Sequence, residues 1–295
     1  MTSEETEGFI PVPGGNVWFR RLGSGDKTPV LLLHGGPGAA HDYLLPLAER
    51  LSMSRPTYVF DQLGCGNSDR PDNPALWTID RAVAELDAVR GALGLDSCFL
   101  IGHSWGGWLS IEYMTQGAIG IEALVLASTS ASIPQFLSET DILIDHLPEP
   151  HRTVLVELGA QGRYDDPSYV DAMEVFLRRH LSRLRPWPAF LEGAWRVMED
   201  NQVYRTMAGP NDIIIDGVLR GWDRSHDLGH IRVPTLVTCG RYDEITPACA
   251  ETIAAGIPDS RLVVFENSGH LVHIDEADLY AETVNAFLAA HEAPA

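Results

Sequence analysis

Leu100-Ile101-Gly102-His103-Ser104-Trp105-Gly106-Gly107 is the segment from which the architecture of this 295-residue chain can be worked out. An apolar run ending at Ile101 leads into a serine between two glycines, and a helical pattern follows at once. This spacing is typical of a nucleophile elbow, in which a strand turns sharply into a helix and holds the serine hydroxyl above a sheet edge. A side chain at Gly102 or Gly106 would collide with the tight turn or with the neighbouring strand. An ordinary glycine–serine turn is the alternative.

Short apolar runs alternate with helical patterns on both sides of this segment. The predicted strands are a pair within Phe9–Leu22, followed by Val30–Leu33, Thr57–Phe60, Phe99–Ile101, Ala123–Ala127, Thr235–Thr238 and Leu262–Phe265. Helices are predicted from Thr78 until Gly94, over Trp105–Met114 and over Glu276–Ala290. Continuous apolar runs indicate strands buried on both faces, and their alternation with helices predicts right-handed crossovers. The predicted fold class is therefore α/β, with a mostly parallel sheet, helices on both faces and the site at the carboxyl ends of the strands.

The alternation stops between about Pro134 and Asp227. This part has helical stretches separated by proline-rich breaks, and it carries four bulky aromatic residues, Trp187, Phe190, Trp195 and Trp222. We interpret it as a mostly helical cap inserted over the sheet, with residues 131–228 as the cap and residues 1–130 and 229–295 as the core. Most of these aromatic residues are expected to pack inside the cap, and Trp187 is the one assigned to the substrate site.

Two further residues complete a candidate catalytic triad with Ser104. Acyl transfer by serine needs a base that takes the hydroxyl proton and an acid that orients the base. In elbow-type folds the acid follows the serine and the histidine comes last. Asp243 and His270 have this order, and each comes just after a predicted strand, so both should lie at the same sheet edge as the serine. Glu244 is the rival for the acid. Of three other histidines, His34 and His273 are expected to support the site, whereas His103 should point away from the serine's side of the turn and pack or form hydrogen bonds there.

Two backbone N–H groups are predicted to stabilise the oxyanion of the tetrahedral intermediate, each contributing on the order of 3 kcal/mol. One belongs to Trp105, the residue after the nucleophile. The other should come from the loop His34-Gly35-Gly36-Pro37-Gly38 after the first long strand, where Gly36 is the predicted donor. A simple strand–helix turn is the alternative for this loop.

Composition excludes several classes of function. The chain has 41 acidic and 21 basic residues and a formal net charge of −20, which argues against nucleic-acid binding and against anionic membrane surfaces. No secretory signal or membrane span is expected, because residues 1–7 are polar and no apolar window approaches about 18–20 residues. The four cysteines show no CxxC pairing and fit reduced thiols, so a cytoplasmic location is predicted. No metal cluster or phosphate-binding loop is visible, and no cofactor is predicted.

Several motifs together resemble the prolyl iminopeptidase family of α/β-hydrolases. They are His34-Gly35-Gly36-Pro37-Gly38, Asp61-Gln62 with Gly64-Cys65-Gly66, the elbow itself, Asp243-Glu244 with Thr246-Pro247, and, in the cap, Asn201-Gln202-Val203-Tyr204-Arg205 and Gly209-Pro210-Asn211. The cap motifs are similar to those of the tricorn-interacting aminopeptidase branch. The similarity covers nearly the whole chain. It implies an α/β-hydrolase fold and a serine aminopeptidase that releases N-terminal residues, often proline, from short peptides.

The same resemblance implies a site for the free α-amine of the substrate. In this branch two acidic residues hold the amine, and they correspond here to Glu244 and to Asp212, where the family has glutamate. A carboxylate in a partly desolvated pocket favours a charged ammonium over an internal amide. The alternatives are that Asp212 caps a turn and that Glu244 is a solvated neighbour of Asp243. Gly35 and Trp187 complete the predicted substrate-binding set, and His103 departs from the glycine or serine usual in the family.

The leading prediction is a cytoplasmic serine aminopeptidase that releases proline, or other small or hydrophobic residues, through an acyl-enzyme. Its partners would be short peptides or small amino-acid amides. The nearest alternative is an amidase or esterase acting on amino-acid amides or other small amide or ester substrates. A non-catalytic binding module that retains the pocket is the alternative from another class. The oligomeric state and the preferred first residue are left open.

Overall fold

A sheet of eight strands forms the centre of the described structure. The structure is a computed structural model, and it describes residues 5–189, 191, 198 and 200–292. The strands are β1 (Thr6–Val12), β2 (Gly15–Leu22), β3 (Val30–Leu33), β4 (Thr57–Phe60), β5 (Cys98–His103), β6 (Ile121–Ala127), β7 (Thr235–Gly240) and β8 (Ser260–Phe265). Their order in the sheet is β1-β2-β4-β3-β5-β6-β7-β8. β2 is antiparallel to both of its neighbours, and the other pairs are parallel. The predicted mostly parallel α/β sheet is confirmed.

The central strands form because their residues are apolar on both faces of the sheet. Every residue of β3, β5 and β7 is buried, as expected of strands covered on both sides. Successive side chains alternate between the two faces. Leu31 and Leu33 accordingly join one hydrophobic cluster, whereas Val30 and Leu32 join the other. The sheet therefore has a separate hydrophobic core on each face.

Helices cover both of these cores. The helices of this part of the chain are α1 (Leu45–Ser52), α2 (Ile79–Ala92) and α3 (Trp105–Thr115). α2 begins where predicted, because the Thr78 hydroxyl accepts a hydrogen bond from the Arg81 N–H at 3.2 Å and caps the first turn. Apolar residues of α2 and α3 pack on one face of the sheet, and those of α1 pack on the other.

The segment between β6 and β7 is mostly helical, as predicted. It contains α4 (Ile133–Asp145), α5 (His151–Ala160), α6 (Pro167–His180) and α7 (Gln202–Met207), and none of its described residues belongs to the sheet. Helices α4, α5 and α6 contribute to a third hydrophobic cluster, which also holds Trp187. Trp222 was expected to pack with the other aromatic residues of the insertion. It instead contacts Trp108 of α3, with ring centroids 6.2 Å apart, so it belongs to the core beneath the sheet. Phe190 and Trp195 lie outside the described residues.

Three more helices follow β7. They are α8 (Pro247–Gly256), the short α9 (Val272–Asp275) and α10 (Ala277–Ala290). α8 packs on the same face of the sheet as α2 and α3, and α10 packs with α1 on the opposite face. In the described part of the chain, no helix is both long and apolar enough to span a membrane.

Candidate active site

Ser104 occupies a strained turn between β5 and α3. Its backbone angles are φ 56° and ψ −122°, a region that residues with a side chain rarely adopt and that is common at functional sites. The Ser104 N–H donates to the Ala127 carbonyl at 3.0 Å, and the Thr129 hydroxyl donates to the Ser104 carbonyl at 2.9 Å. Strand β6 and the residues that follow it therefore hold the strained turn in place.

The glycines on either side of the serine are required by space. A Cβ atom on Gly102 would lie 2.3 Å from the Gly106 carbonyl oxygen, and one on Gly106 would lie 2.3 Å from the Leu33 carbonyl oxygen. Contacts this short would force the helix away from the sheet. The collision expected from the sequence is therefore present on both sides, and this stretch is an elbow rather than an ordinary glycine–serine turn.

The structure brings Asp243 and His270 together at the carboxyl ends of β7 and β8. The His270 Nδ1–H donates to Asp243 Oδ1 at 2.8 Å, and both side chains are buried. This bond selects the tautomer that leaves Nε2 available to act as a base. Asp243 Oδ1 also accepts from the Ile245 N–H at 2.9 Å. Asp243, and not its neighbour Glu244, therefore orients the ring.

The end of α6 and the residues that follow it hold the loop that carries His270. The His270 N–H donates to the His180 carbonyl at 2.7 Å. Asp275 Oδ2 accepts from the Gly269 N–H at 2.8 Å and from the Arg183 N–H at 2.9 Å. One carboxylate thus joins the loop of the base to the inserted segment. Neither contact was predicted, because the pairing depends on how the inserted segment folds back over the sheet.

Gly35 and Gly36 lie beside the elbow. A Cβ atom on Gly35 would lie 2.9 Å from Ser104 Cβ, so only glycine allows this approach. The Gly35 N–H already donates to the Tyr43 hydroxyl at 2.6 Å. The next N–H along the loop belongs to Gly36, whose φ is 110°. Trp105 begins α3, where first-turn N–H groups have no acceptor within the helix. The N–H groups of Gly36 and Trp105 stay the predicted oxyanion donors.

Gln62 connects the glycine loop to the elbow. Its Oε1 accepts from the Trp105 indole N–H at 2.8 Å, and its backbone N–H donates to His34 Nε2 at 3.0 Å. Both side chains of this bridge, Gln62 and His34, are buried. His34 therefore supports the loop, as expected. Gln62 was quoted in a motif, but the pattern did not reveal its bond to Trp105.

His103 joins three parts of the site. The Tyr43 hydroxyl donates to His103 Nδ1 at 2.9 Å, and the His103 Nε2–H donates to the His270 carbonyl at 3.1 Å. Burial, together with the nearby His270 and His273, holds the pKa of His103 well below its usual value, so the ring is neutral. The His273 Nε2 is 3.1 Å from the Tyr43 carbonyl. Tyr43 was missed by the sequence analysis because it lies in no recognisable motif.

Two more acidic groups lie near His270. Glu244 has a side chain only 9% exposed, and its Oε1 lies 3.7 Å from His270 Nε2. Its buried Oε2 has no hydrogen-bond partner. Burial and the charges of Asp212 and Asp243 raise the pKa of Glu244, whereas the charge of His270 lowers it. Asp212 Oδ1 accepts from the Tyr204 hydroxyl at 2.5 Å, and burial raises the pKa of this carboxyl too.

Burial and hydrogen bonds argue against a solvated Glu244 and against Asp212 as the cap of a turn, and the binding of substrate by these carboxylates stays a prediction. Glu244 is buried and not solvated. The turn at Gly209-Pro210-Asn211 is capped by Asn211, whose Oδ1 accepts from the Ile213 N–H at 3.2 Å, so Asp212 does not have to supply this bond. Trp187 is only 4% exposed and donates its indole N–H to the Ser182 carbonyl at 3.1 Å. Its place is therefore within the hydrophobic cluster of the inserted segment.

The strained serine, the Asp–His pair beyond later strands and the eight-stranded sheet define an α/β hydrolase. The alpha/beta hydrolase fold family matches residues 28–277. A proline iminopeptidase of Saccharolobus solfataricus is 36% identical over 284 residues, which cover 96% of this chain and 92% of the relative.

Among solved structures, VinJ superimposes with a TM-score of 0.92 at 34% identity, covering 97% of this chain and 99% of VinJ. The proline iminopeptidase of Mycobacterium smegmatis gives a TM-score of 0.90 at 31% identity, covering 97% and 98%. The chain belongs to the proline iminopeptidase family of α/β hydrolases.

Proposed function

We propose that the protein is a serine aminopeptidase that releases N-terminal proline, and with it other small or hydrophobic residues, from short peptides. The names of the relatives support the reaction class. The observation that carries the proposal is the buried Glu244 carboxylate, whose Oε1 lies 3.7 Å from His270 Nε2. A buried carboxylate is costly unless a cation binds it. The α-ammonium of a peptide is such a cation.

In the proposed reaction Ser104 attacks the carbonyl carbon of the first residue. His270 Nε2 takes the hydroxyl proton and then gives it to the leaving amine, while Asp243 holds the ring. The N–H groups of Gly36 and Trp105 stabilise the oxyanion. Water then attacks the acyl-enzyme with His270 again as base, and the free amino acid and the Ser104 hydroxyl are regenerated.

The α-ammonium of the substrate would lie between Glu244 and Asp212. Both carboxyl groups are acidic neighbours of His270, and each contributes to the electrostatics of its ring. The Tyr204 hydroxyl donates to Asp212 Oδ1 and so fixes the orientation of this shorter side chain. Gly35 lies next to Ser104 and lets the substrate backbone approach the nucleophile.

Residues 131–228 would act as a cap that restricts entry to short peptides. Their described helices lie between β6 and β7 in sequence, and they contact the loop of His270 through His180. Trp187 contributes to this cap through the packing of its hydrophobic cluster. We also place the enzyme in the cytoplasm, because its four cysteines are free and buried.

An amidase or esterase acting on blocked or simple substrates is the alternative. A panel of L-prolyl, L-alanyl and L-leucyl arylamides, their N-acetyl forms and simple aryl esters separates the two. We expect kcat/KM for the free prolyl substrate to exceed that for its N-acetyl form by a factor of about 100 or more, since a charge-assisted contact contributes about 3 kcal/mol. Equal rates on free and blocked substrates would rule out the aminopeptidase.

The catalytic role of Ser104 has its own test. Ser104→Ala removes the nucleophile, and we expect kcat to fall by a factor on the order of 10⁴ or more. Ser110→Ala in α3 is the matched control, because this hydroxyl only donates to the Gly106 carbonyl. Ser110→Ala should retain activity within about tenfold. Full arylamidase activity in Ser104→Ala would exclude the mechanism.

A further inference from the structure

Glu244 contacts the nitrogen of His270 that has to be free for catalysis. Asp243 Oδ1 binds Nδ1 at 2.8 Å, and Glu244 Oε1 lies 3.7 Å from Nε2 on the other side of the ring. Nε2 is the atom that must accept the proton of Ser104. The imidazole therefore lies between two buried carboxyl groups, and the second one faces the working nitrogen.

The groups around this ring favour its protonated form. The titratable side chains that interact with it or pack against it are Asp243, Glu244, Asp212, His103, His273 and His180. Burial opposes a charge on His270, but Asp243, Glu244 and Asp212 outweigh it and raise the pKa of His270 to about 9. Burial keeps the pKa of His103, His273 and His180 below the usual value, so these three supply no competing positive charge at neutral pH.

A protonated His270 cannot take the proton of Ser104, so the free enzyme needs a way to discharge its base. We propose that Glu244 is the switch: in the free enzyme it is ionised and forms an ion pair with a protonated His270, whose Nε2 lies 3.7 Å away, and the α-ammonium of the substrate replaces that imidazolium as its partner. The ammonium brings one positive charge into the pocket, and one proton leaves from Nε2 to solvent. The net charge of the pocket is unchanged, and the neutral ring can now accept from Ser104.

The switch goes beyond anchoring the substrate, although it rests on the proposed function. An anchor would lower KM for free amines and would not alter the base. The switch makes the ammonium a condition for the chemical step, because a blocked substrate enters a pocket whose base is still protonated. Discrimination against blocked substrates should therefore appear in kcat as well as in KM near neutral pH.

The first experiment compares the pH profiles of Glu244→Gln and the wild type on N-acetyl-L-proline aryl ester, which has no ammonium. In the wild type we expect the acid limb of kcat/KM near pH 9, the pKa of His270. Glu244→Gln should move this limb to lower pH and raise the rate at neutral pH by about tenfold, the effect of one pKa unit. Activity on free prolyl arylamide should fall at the same time. A blocked-ester profile equal to the wild type would overturn the switch and leave Glu244 as an anchor.

Glu282→Gln is the matched control. Glu282 is exposed on α10, away from the pocket, so this variant should reproduce both wild-type profiles. The blocked ester also separates the two proposals. Free and blocked substrates that react equally would overturn both proposals, whereas a preference for the free substrate with an unmoved acid limb in Glu244→Gln would overturn the switch alone.

The second experiment keeps Glu244 intact and does not depend on the folding of Glu244→Gln. L-Prolinamide is added to Ser104→Ala at about pH 7 in weak buffer, and the protons released per bound ligand are measured by calorimetry in buffers of different ionisation enthalpy. We expect release with L-prolinamide and none with N-acetyl-L-prolinamide. NMR of the His270 ring should show Nε2 losing its proton. Binding of L-prolinamide with the ring still protonated would overturn the switch.

Discussion

His103 shows how much a single residue beside the nucleophile can contribute without touching the substrate. Its ring accepts a hydrogen bond from the Tyr43 hydroxyl and donates one to the His270 carbonyl. The Tyr43 hydroxyl in turn accepts from the Gly35 N–H. It is a positioning residue, because the glycine loop and the loop of the base are both held through it. Its pKa lies well below the usual value, so it remains neutral at the pH of the reaction and contributes hydrogen bonds and not charge.

Replacing His103 by phenylalanine keeps an aromatic ring and removes both hydrogen bonds. We expect kcat for a free prolyl arylamide to fall by about tenfold, equivalent to about 1.4 kcal/mol, with little change in KM. Steady-state kinetics measure this split. His146→Phe, at an exposed position, is the control. A change in KM alone, or unchanged kinetics, would contradict the positioning role.

At the level of single residues the sequence located Ser104, Asp243 and His270 because each follows a strand in a glycine-containing turn. These are local patterns, so no knowledge of packing is needed to find them. The choice between Asp243 and Glu244 is different. They are neighbours in the sequence, and only the position of the His270 ring shows that Asp243 binds Nδ1 while Glu244 faces Nε2.

Helix α3 is the element that connects the elbow to the end of the inserted segment. Both oxygens of Glu112 accept from Arg224 at 2.8 Å, and its Oε2 also accepts from the Trp222 indole N–H at 2.9 Å. Burial would raise the pKa of Glu112, but the hydrogen bonds from Arg224, Trp222 and Gln116 outweigh it and lower the pKa to about 2. This carboxylate therefore stabilises the folded chain while it is ionised.

The Glu112→Gln variant should have a free energy of unfolding about 2 kcal/mol lower than that of the wild type at neutral pH. This estimate allows for the screening of the Glu112–Arg224 interaction by solvent, because Arg224 is partly exposed. The folded-state pKa is below the unfolded one, so the stabilisation is complete above about pH 4.5 and is lost as the pH falls through about 2. The two unfolding free energies, measured with urea, should therefore converge in acid. Glu157→Gln, at an exposed position of α5, is the control. A constant difference across this range would show that Glu112 does not act through its charge.

Among the elements, the strands were predicted more completely than the helices. The buried strands are continuous apolar runs: β3 and β4 have the predicted bounds, and the other predicted strands are two or three residues longer in the structure. α1 and α8 were not predicted. α1 has only eight residues, a length at which an apolar pattern does not separate a helix from a strand, whereas α8 is rich in alanine and has a weak apolar period.

The whole molecule carries a formal net charge of −20. A field of this sign attracts positively charged substrates and is screened by salt, with a Debye length that falls from about 30 Å to about 8 Å between 0.01 and 0.15 M ionic strength. We expect kcat/KM for L-prolyl arylamide, a cation, to fall by about threefold or more over this range. N-acetyl-L-proline aryl ester, which is neutral, should show almost no change. Equal salt dependence of the two would exclude long-range attraction.

The reaction class and the sheet could be inferred from the chain alone, because strands, glycine turns and the order of Ser104, Asp243 and His270 are local features of the sequence. The connections between these features required the tertiary structure. The His103–His270 hydrogen bond joins residues 167 positions apart, and the Glu112–Trp222 bond joins residues 110 positions apart. Such contacts depend on how distant segments of the chain pack. A local sequence pattern does not show which of these segments come into contact. For this reason the sequence could identify Glu244 as an acidic residue near the triad, whereas only the folded chain places it against the working nitrogen of the base.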